Sequence, residues 1–270
     1  MPRLRVVLVL RPLFTAAAHG TALHMAATSP QPVLCGHRTV LLRVRGSGDG
    51  TENSGKPPWH ACGGLYQHPV LTAWDLTGKR VLDLGCGHGL AGLLAGLRGA
   101  KAVHFTDRSA DSVAAALQAA VDNHLACTFT GAAADWAEAL PMHAAGDWPA
   151  ADLIIGNDLL YFTEAPDLLS SILLSNDLLP PGGICVIAGN DRGHWAAFEE
   201  RLQSSGLFAH VESVRSKIAT SRRGCGLLEK PRPTTSTGAE EREEEDEEEE
   251  EDDAGASLEP SVILVAHKAS

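Results

Sequence analysis

At 270 residues, 44% of them hydrophobic, the chain has room for one α/β domain of ordinary size with a real core, plus irregular ends. The formal net charge of −12 comes from one place: residues 239–253 hold thirteen acids and one base, Arg242, and without them the chain's 34 acids and 22 bases both fall to 21. So neutral a remainder does not suit a dedicated nucleic-acid binder, and no apolar run approaches the ~18 residues that a membrane-spanning helix needs.

The first acidic residue is Asp49. Before it stand Arg3, Arg5, Arg11, Arg38, Arg43 and Arg45 among small and apolar residues, a pattern like an organelle import leader. An unstructured N-terminus is the equal alternative. A secretory signal fits less well, because the apolar run 6–10 is short and is broken by Arg11-Pro12. Residues 1–32 are therefore expected to be a disordered or leader-like segment, and 33–78 a strand, a loop and the approach to the core. Within the latter, 39–44 is β-branched and apolar enough for a strand, and 46–58 is a loop rich in Gly, Ser and Pro. The six cysteines form no Cys-x-x-Cys pair and read as reduced thiols of an intracellular protein, cytoplasmic or nuclear unless the Arg-containing leader directs import. Cys35, His37, His60 and Cys62 match no common zinc spacing, so no metal is expected.

From Arg80 the pattern becomes regular. Residues 81–84 form a short apolar run ending in a Gly-rich turn, the mark of a buried parallel strand, and 90–98 follows with helical spacing. Residues 102–105 read as the next strand, stopping at Asp107. Ser109 is placed to cap a helix to about His124 whose apolar face includes Val113, Leu117, Ala120 and Val121. A weak third strand at 128–131 and a clear fourth at 153–155 follow, the latter ending in Gly156-Asn157-Asp158. A helix over 168–174, the turn Pro180-Pro181-Gly182-Gly183, a strand over 184–188, a helix over 194–205 and a strand over 209–214 complete the series.

The acidic run comes next, expected to be a solvated loop because like charges repel and bury nothing. Beyond it 261–266 (SVILVA) is strongly strand-like and is expected to pair with 209–214 as a hairpin with a lengthened connection, since loop-closure entropy grows only logarithmically. The expected fold class is α/β: a Rossmann-like open seven-stranded sheet, mostly parallel with a C-terminal antiparallel hairpin, helices on both faces. The core is assigned to 79–230, the acidic insertion to 231–260 and the last strand and tail to 261–270.

The turn after the first core strand, Val81-Leu82-Asp83-Leu84-Gly85-Cys86-Gly87-His88-Gly89, is where such folds bind nucleotides. Glycine admits close approach and positive φ, and the next helix offers free N–H groups. Gly87–Gly92 also fits the dinucleotide pattern G-x-G-x-x-G, a weak signal alone. Asp83 beside the turn disfavours a pyrophosphate and suits a cationic ligand. Asp107, after the second strand, can accept both hydroxyls of a ribose, and Asp135-Trp136, after the third, can pair with and stack on a base. Each has a structural reading too: Asp83 holding the turn, Asp107 capping a helix, Trp136 in the core.

VLDLGCGHG is similar to the first motif of class I, seven-strand, S-adenosylmethionine methyltransferases, and Asp107 and Asp135-Trp136 lie where that superfamily places its ribose and adenine contacts. The resemblance implies S-adenosylmethionine as cofactor, held by Asp83, Gly85, Cys86, Gly87, Asp107, Trp136 and Asn157. At the fourth strand's end, Asp158-x-x-Tyr161 resembles the Asp/Glu-x-x-Tyr/Phe signature of family 16 methyltransferases, which include protein-lysine methyltransferases and a protein-histidine methyltransferase. By that resemblance Asp158 and Tyr161 frame the incoming amine or imidazole.

Asn157-Asp158-Leu159-Leu160-Tyr161 is also like an Asn/Asp-Pro-Pro-Tyr motif of methyltransferases acting on adenine or glutamine amino groups, with neither proline present. The chain departs from family 16 before the core. Gly63-Gly64-Leu65-Tyr66 is followed only by 67–77, so the leading helix looks shortened, and Tyr66 stands where the family has Trp. The expected function is in-line methyl transfer to a protein side-chain nitrogen, lysine before histidine, by a monomer that needs no membrane or nucleic acid. Alternatives are a small-molecule N-methyltransferase, a binding module whose acidic loop contacts a basic partner, and a dinucleotide oxidoreductase.

Overall fold

The structure, a computed structural model, describes residues 30–35, 38–43, 65, 68–220 and 257–270. Strands β1 (Pro30–Cys35) and β2 (Arg38–Arg43) pair as a small antiparallel hairpin. The first strand thus takes in residues 30–32, which composition had assigned to the leader. Helix α1 (Pro69–Thr72) is one turn long, entered through His68, whose Nδ1 accepts the Val70 N–H at 3.2 Å.

The core is a seven-stranded sheet. In chain order come β3 (Arg80–Leu84), α2 (Leu90–Leu97), β4 (Ala102–Asp107), α3 (Ala110–Asp122), β5 (Thr128–Ala133), a 3₁₀ turn (Trp136–Glu138) leading into α4 (Ala139–Ala145), β6 (Leu153–Asn157), α5 (Ala165–Leu174), β7 (Ile184–Asn190), α6 (Trp195–Ser204), β8 (Phe208–Thr220) and β9 (Ser257–Lys268). The sheet order is β5-β4-β3-β6-β7-β9-β8, parallel from β5 to β7, with β9 antiparallel to both neighbours. The expected hairpin is present but longer than its apolar centre suggests, pairing Phe208 with Lys268 at one end and Thr220 with Ser257 at the other. Polar residues such as Glu212 and Arg215 hide the strand's length, because an edge strand need bury only one face.

Alternation along the strands builds two cores. Val81, Val103, Phe105, Leu153, Ile155, Val186 and Ala188 face α2 and α3. Leu82, Leu84, Ile154, Cys185 and Ile187 face the opposite layer, with Trp148, Leu169, Ile172, Trp195 and Phe198. Ser109 caps α3 by accepting the Ser112 N–H at 3.2 Å, but the helix ends at Asp122 and His124 turns out of it with φ +52°. Its buried stripe is Val113, Ala116, Ala119 and Ala120, while Val121 is 42% exposed. Small alanines line this face because the helix packs close to the glycine turn and the sheet: a Cβ on Gly89 would lie 2.5 Å from that of Ala116, and one on Gly131 of β5 2.6 Å from Val113 Cγ1.

Among the described residues, no helix is long and apolar enough to cross a membrane. Gly63, Gly64, Tyr66, His37, His60, Cys62 and the acidic run lie outside the described residues.

Candidate functional site

The strand order reverses between β3 and β6: the chain moves outward through β4 and β5, returns to β6, and then runs the other way. In an open α/β sheet the crevice at the carboxyl ends of two such strands is the natural ligand site. The glycine turn after β3, Asp107 at the end of β4, Trp136 after β5, and Asn157, Asp158 and Tyr161 at the end of β6 all lie at this edge, with Asp83 just inside it on β3.

The turn is a run of left-handed glycines, Gly85, Gly87 and Gly89, with φ of +62°, +51° and +76°. A side chain on Gly85 would strike Leu159 at 2.6 Å and approach Trp136 at 3.5 Å, so the turn is pressed against the neighbouring loops. Among the described residues, a Cβ on Gly87 meets nothing within 4 Å, so that side of the turn is open to them. Asp107 ties the turn to the next strand, its Oδ2 accepting the Gly87 N–H at 3.0 Å and its Oδ1 the Ser109 N–H at 2.9 Å. A carboxylate offers about four acceptor positions, so roughly two remain for a diol.

Asp83 is 2% exposed, and its Oδ2 accepts the Gly92 N–H at 2.8 Å. The structure therefore aims this carboxyl at the first turn of α2. Burial pushes it up to about 7; the Gly92 N–H opposes that rise and the Asp107 charge adds to it. Burial also pushes the Cys86 thiol well up, with Asp83 and Asp107 adding to the effect, so Cys86 is a neutral backbone-bearing residue of the turn rather than a nucleophile. Burial lowers the pKa of His88, and the nearby Asp107 charge opposes that fall.

Asp135 caps the 3₁₀ turn: its Oδ1 accepts the Ala137 N–H at 3.0 Å, and Glu138 Oε2 accepts the Asp135 N–H at 3.2 Å. This capping box orients Trp136, whose indole stacks on Phe162 with centroids 5.7 Å apart and planes at 23°. Tyr161 meets the same Phe162 edge-on at 5.0 Å and is itself 42% exposed. Phe162, which the sequence reading did not single out, thus joins the expected adenine-side and acceptor-side aromatics into one row.

Asp158 is the most constrained residue of the group. It is 9% exposed and adopts φ +55°, a region that costs a non-glycine residue energy and persists only where the surroundings enforce it. Its N–H donates to the Ala188 carbonyl at 2.7 Å, and its carboxylate receives both arms of the Arg192 guanidinium, at 2.5 and 3.1 Å. Arg192 was also not foreseen. The visible clue was position alone: Asn190-Asp191-Arg192-Gly193 follows the strand beside β6, at the same carboxyl edge. Among the described residues, no group of three or more His, Cys, Asp or Glu side chains could hold a metal ion.

A seven-stranded sheet in this order, with a glycine turn at the switch point and an acid ending the next strand, defines the class I S-adenosylmethionine-dependent methyltransferase architecture. The chain belongs to the lysine methyltransferase family, whose model matches residues 51–203. It is 38% identical over 120 residues to the ribosomal protein L11 methyltransferase of Psychrobacter sp. (strain PRwf-1), covering 44% of this chain and 36% of that one. It is 35% identical over 117 residues to the protein N-lysine methyltransferase METTL21A of Danio rerio, covering 42% of this chain and 52% of that one. The matches thus span about half or less of these relatives' lengths.

Solved structures share the fold at low identity. The SAM-dependent methyltransferase from Agrobacterium tumefaciens superposes with a TM-score of 0.55 at 15% identity, over 90% of this chain and 72% of that one. Another structure, described as a methyltransferase complexed with SAH, gives 0.56 at 13% identity, over 93% and 58%. The cofactor is S-adenosylmethionine. The described residues fit it: among them nothing lies over Gly87, Asp107 keeps acceptor capacity, and an aromatic row stands beside Gly85.

Proposed function

We propose that this chain transfers a methyl group from S-adenosylmethionine to the side-chain amine of a lysine in a protein. The observation that carries the reading is Asp158: a nearly buried carboxylate, held in a strained conformation at the switch-point crevice, three residues before an exposed tyrosine. Membership of the lysine methyltransferase family and the likeness to a protein N-lysine methyltransferase support it.

When bound, the cofactor supplies an electrophilic methyl on a sulfonium leaving group. The chain's share of the chemistry is placement. Gly85, Cys86 and Gly87 offer backbone, Asp107 accepts ribose hydroxyls, and Trp136 with Asn157 borders the base side and the mouth. Asp158 accepts an N–H of the lysine amine and so points the nitrogen lone pair at the methyl group. Tyr161 lines the approach with its ring and hydroxyl. Taking the amine out of water lowers its pKa and favours the neutral, nucleophilic form, so Asp158 serves as an orienting group rather than an obligate base.

Incubation of the purified chain with methyl-labelled S-adenosylmethionine and cell extract, followed by gel separation and hydrolysis of the labelled bands, tests the proposal. The expected result is a discrete protein band yielding methyl-lysine, lost with Asp158→Ala. Label found only in small molecules, or recovered as methyl-histidine, refutes it.

A further inference from the structure

We propose that Arg192 is a positioning residue for methyl transfer, acting through Asp158. The inference rests on the reading just given, in which Asp158 faces the acceptor amine. The two side chains come from different strands' loops and are 34 positions apart, yet their head groups meet as a planar fork on a planar carboxylate, Nη1 to Oδ1 at 2.5 Å and Nη2 to Oδ2 at 3.1 Å. The Asp158 side chain is 7% exposed and that of Arg192 35%, so the ion pair sits with its carboxylate end inside and its cationic end at the surface. Such a bidentate pair sets orientation as well as charge.

The surroundings are built to receive it. Gly189, on β7, lies so close that a Cβ there would be 3.2 Å from the Asp158 Cα and 3.4 Å from Oδ1. The Asn190 N–H adds a long contact of 3.4 Å to Oδ1. The loop carrying Arg192 is itself pinned: Trp195 Nε1 donates to the Asn190 carbonyl at 3.0 Å, and Asp191 Oδ1 accepts the Gly193 N–H at 3.1 Å. With two donors on Oδ1 and one on Oδ2, about three of the carboxylate's four acceptor positions are taken. The remaining one is on Oδ2. Asp158 therefore has a single place to accept an N–H, and Arg192 decides where that place points. Without the fork, the left-handed backbone of Asp158 loses a partner that enforces it, and the amine is no longer presented in line.

The test uses the full chain, labelled S-adenosylmethionine and the protein band from cell extract that it labels. Five forms are compared: wild type, Arg192→Gln, Arg192→Lys, Asp158→Asn, and Asp158→Asn combined with Arg192→Gln. Misplacement of a reacting group by about an ångström costs on the order of 100-fold in rate. Arg192→Gln is therefore expected to lower the rate at saturating cofactor by roughly that factor, with the cofactor dissociation constant, from calorimetry, changed less than about twofold. Arg192→Lys, which keeps the charge and the fold but has no fork, is expected to restore less than a tenth of the rate. Adding Arg192→Gln to Asp158→Asn is expected to cause no further loss.

Losses that multiply, a full rescue by lysine, or a parallel collapse of cofactor binding in both Arg192 variants would each overturn the positioning role. A wild-type chain that labels no protein lysine removes the underlying function. A wild-type chain that is active, beside an Arg192→Gln variant that keeps its rate, removes only this inference.

Discussion

Asp83→Asn should make this protein's stability less sensitive to pH. Asp83 has 2% exposure, its carboxyl accepts the Gly92 N–H at 2.8 Å, and burial holds that carboxyl at about 7. In the unfolded chain the same group titrates near 3.9. Between those values the folded state keeps a proton that the unfolded state has lost. The contribution of Asp83 to stability is therefore fully present below about pH 4, falls as pH rises, and levels off above about pH 7. The slope approaches ~1.4 kcal/mol per pH unit within the window, for a total of about 4 kcal/mol.

Asparagine has nearly the same shape, its amide oxygen can accept the Gly92 N–H, and it does not titrate. Urea unfolding of the cofactor-free wild type and variant, at intervals from pH 4 to pH 8, isolates the residue, because the other titrating groups cancel in the difference. The wild type is expected to lose roughly 4 kcal/mol relative to the variant across that range, most of it between pH 5 and 7. A difference that stays flat within about 0.5 kcal/mol would show that the Asp83 carboxyl is ionised in the fold at neutral pH, and would refute the reasoning.

Gly89→Ala should destabilise by about 2–4 kcal/mol, because its φ is +76° and a Cβ there would sit 2.5 Å from that of Ala116. Gly78→Ala, at φ +78° but with nothing within 4 Å, should cost only about 1 kcal/mol in the same urea assay, and equal costs would deny the close packing of α3. Lys268 Nζ donates to the carbonyls of Leu173, Leu174, Ser175 and Leu179 at 2.8–3.1 Å, closing the C-terminal end of α5. Lys268→Met should cost about 3 kcal/mol in thermal unfolding yet leave cofactor affinity unchanged, since His267 pairs with Ile184 at the opposite edge of the sheet from the site. Trp136→Ala should weaken S-adenosylmethionine binding roughly tenfold by calorimetry, the loss of one aromatic stacking face; unchanged affinity would place the indole in a purely packing role beside Phe162.

Much of this protein is written locally. The runs Val81–Leu84 and Leu153–Ile155 are short, mostly apolar and followed by glycine, which suits a buried parallel strand with a turn at its carboxyl end. Ser109 marks the start of α3 because an N-cap needs only its own side chain and the next turn. The glycine run and Asp107 are legible as a strand-end turn for a related reason: positive φ and an acid at a strand's end are local demands.

What the sequence does not determine is where a side chain points once several strands compete for it. Asp83 reads as a turn acid, but the pleat sends it into the core face shared with Phe105 and Gly92. The face of α3 turns from Val121 to Ala116 because helix and sheet approach so closely. Arg192 could not be paired with Asp158 by any spacing rule, since their meeting depends on β6 and β7 lying side by side. Periodicity and capping belong to the chain, whereas the partner of a nearly buried charge belongs to the sheet order.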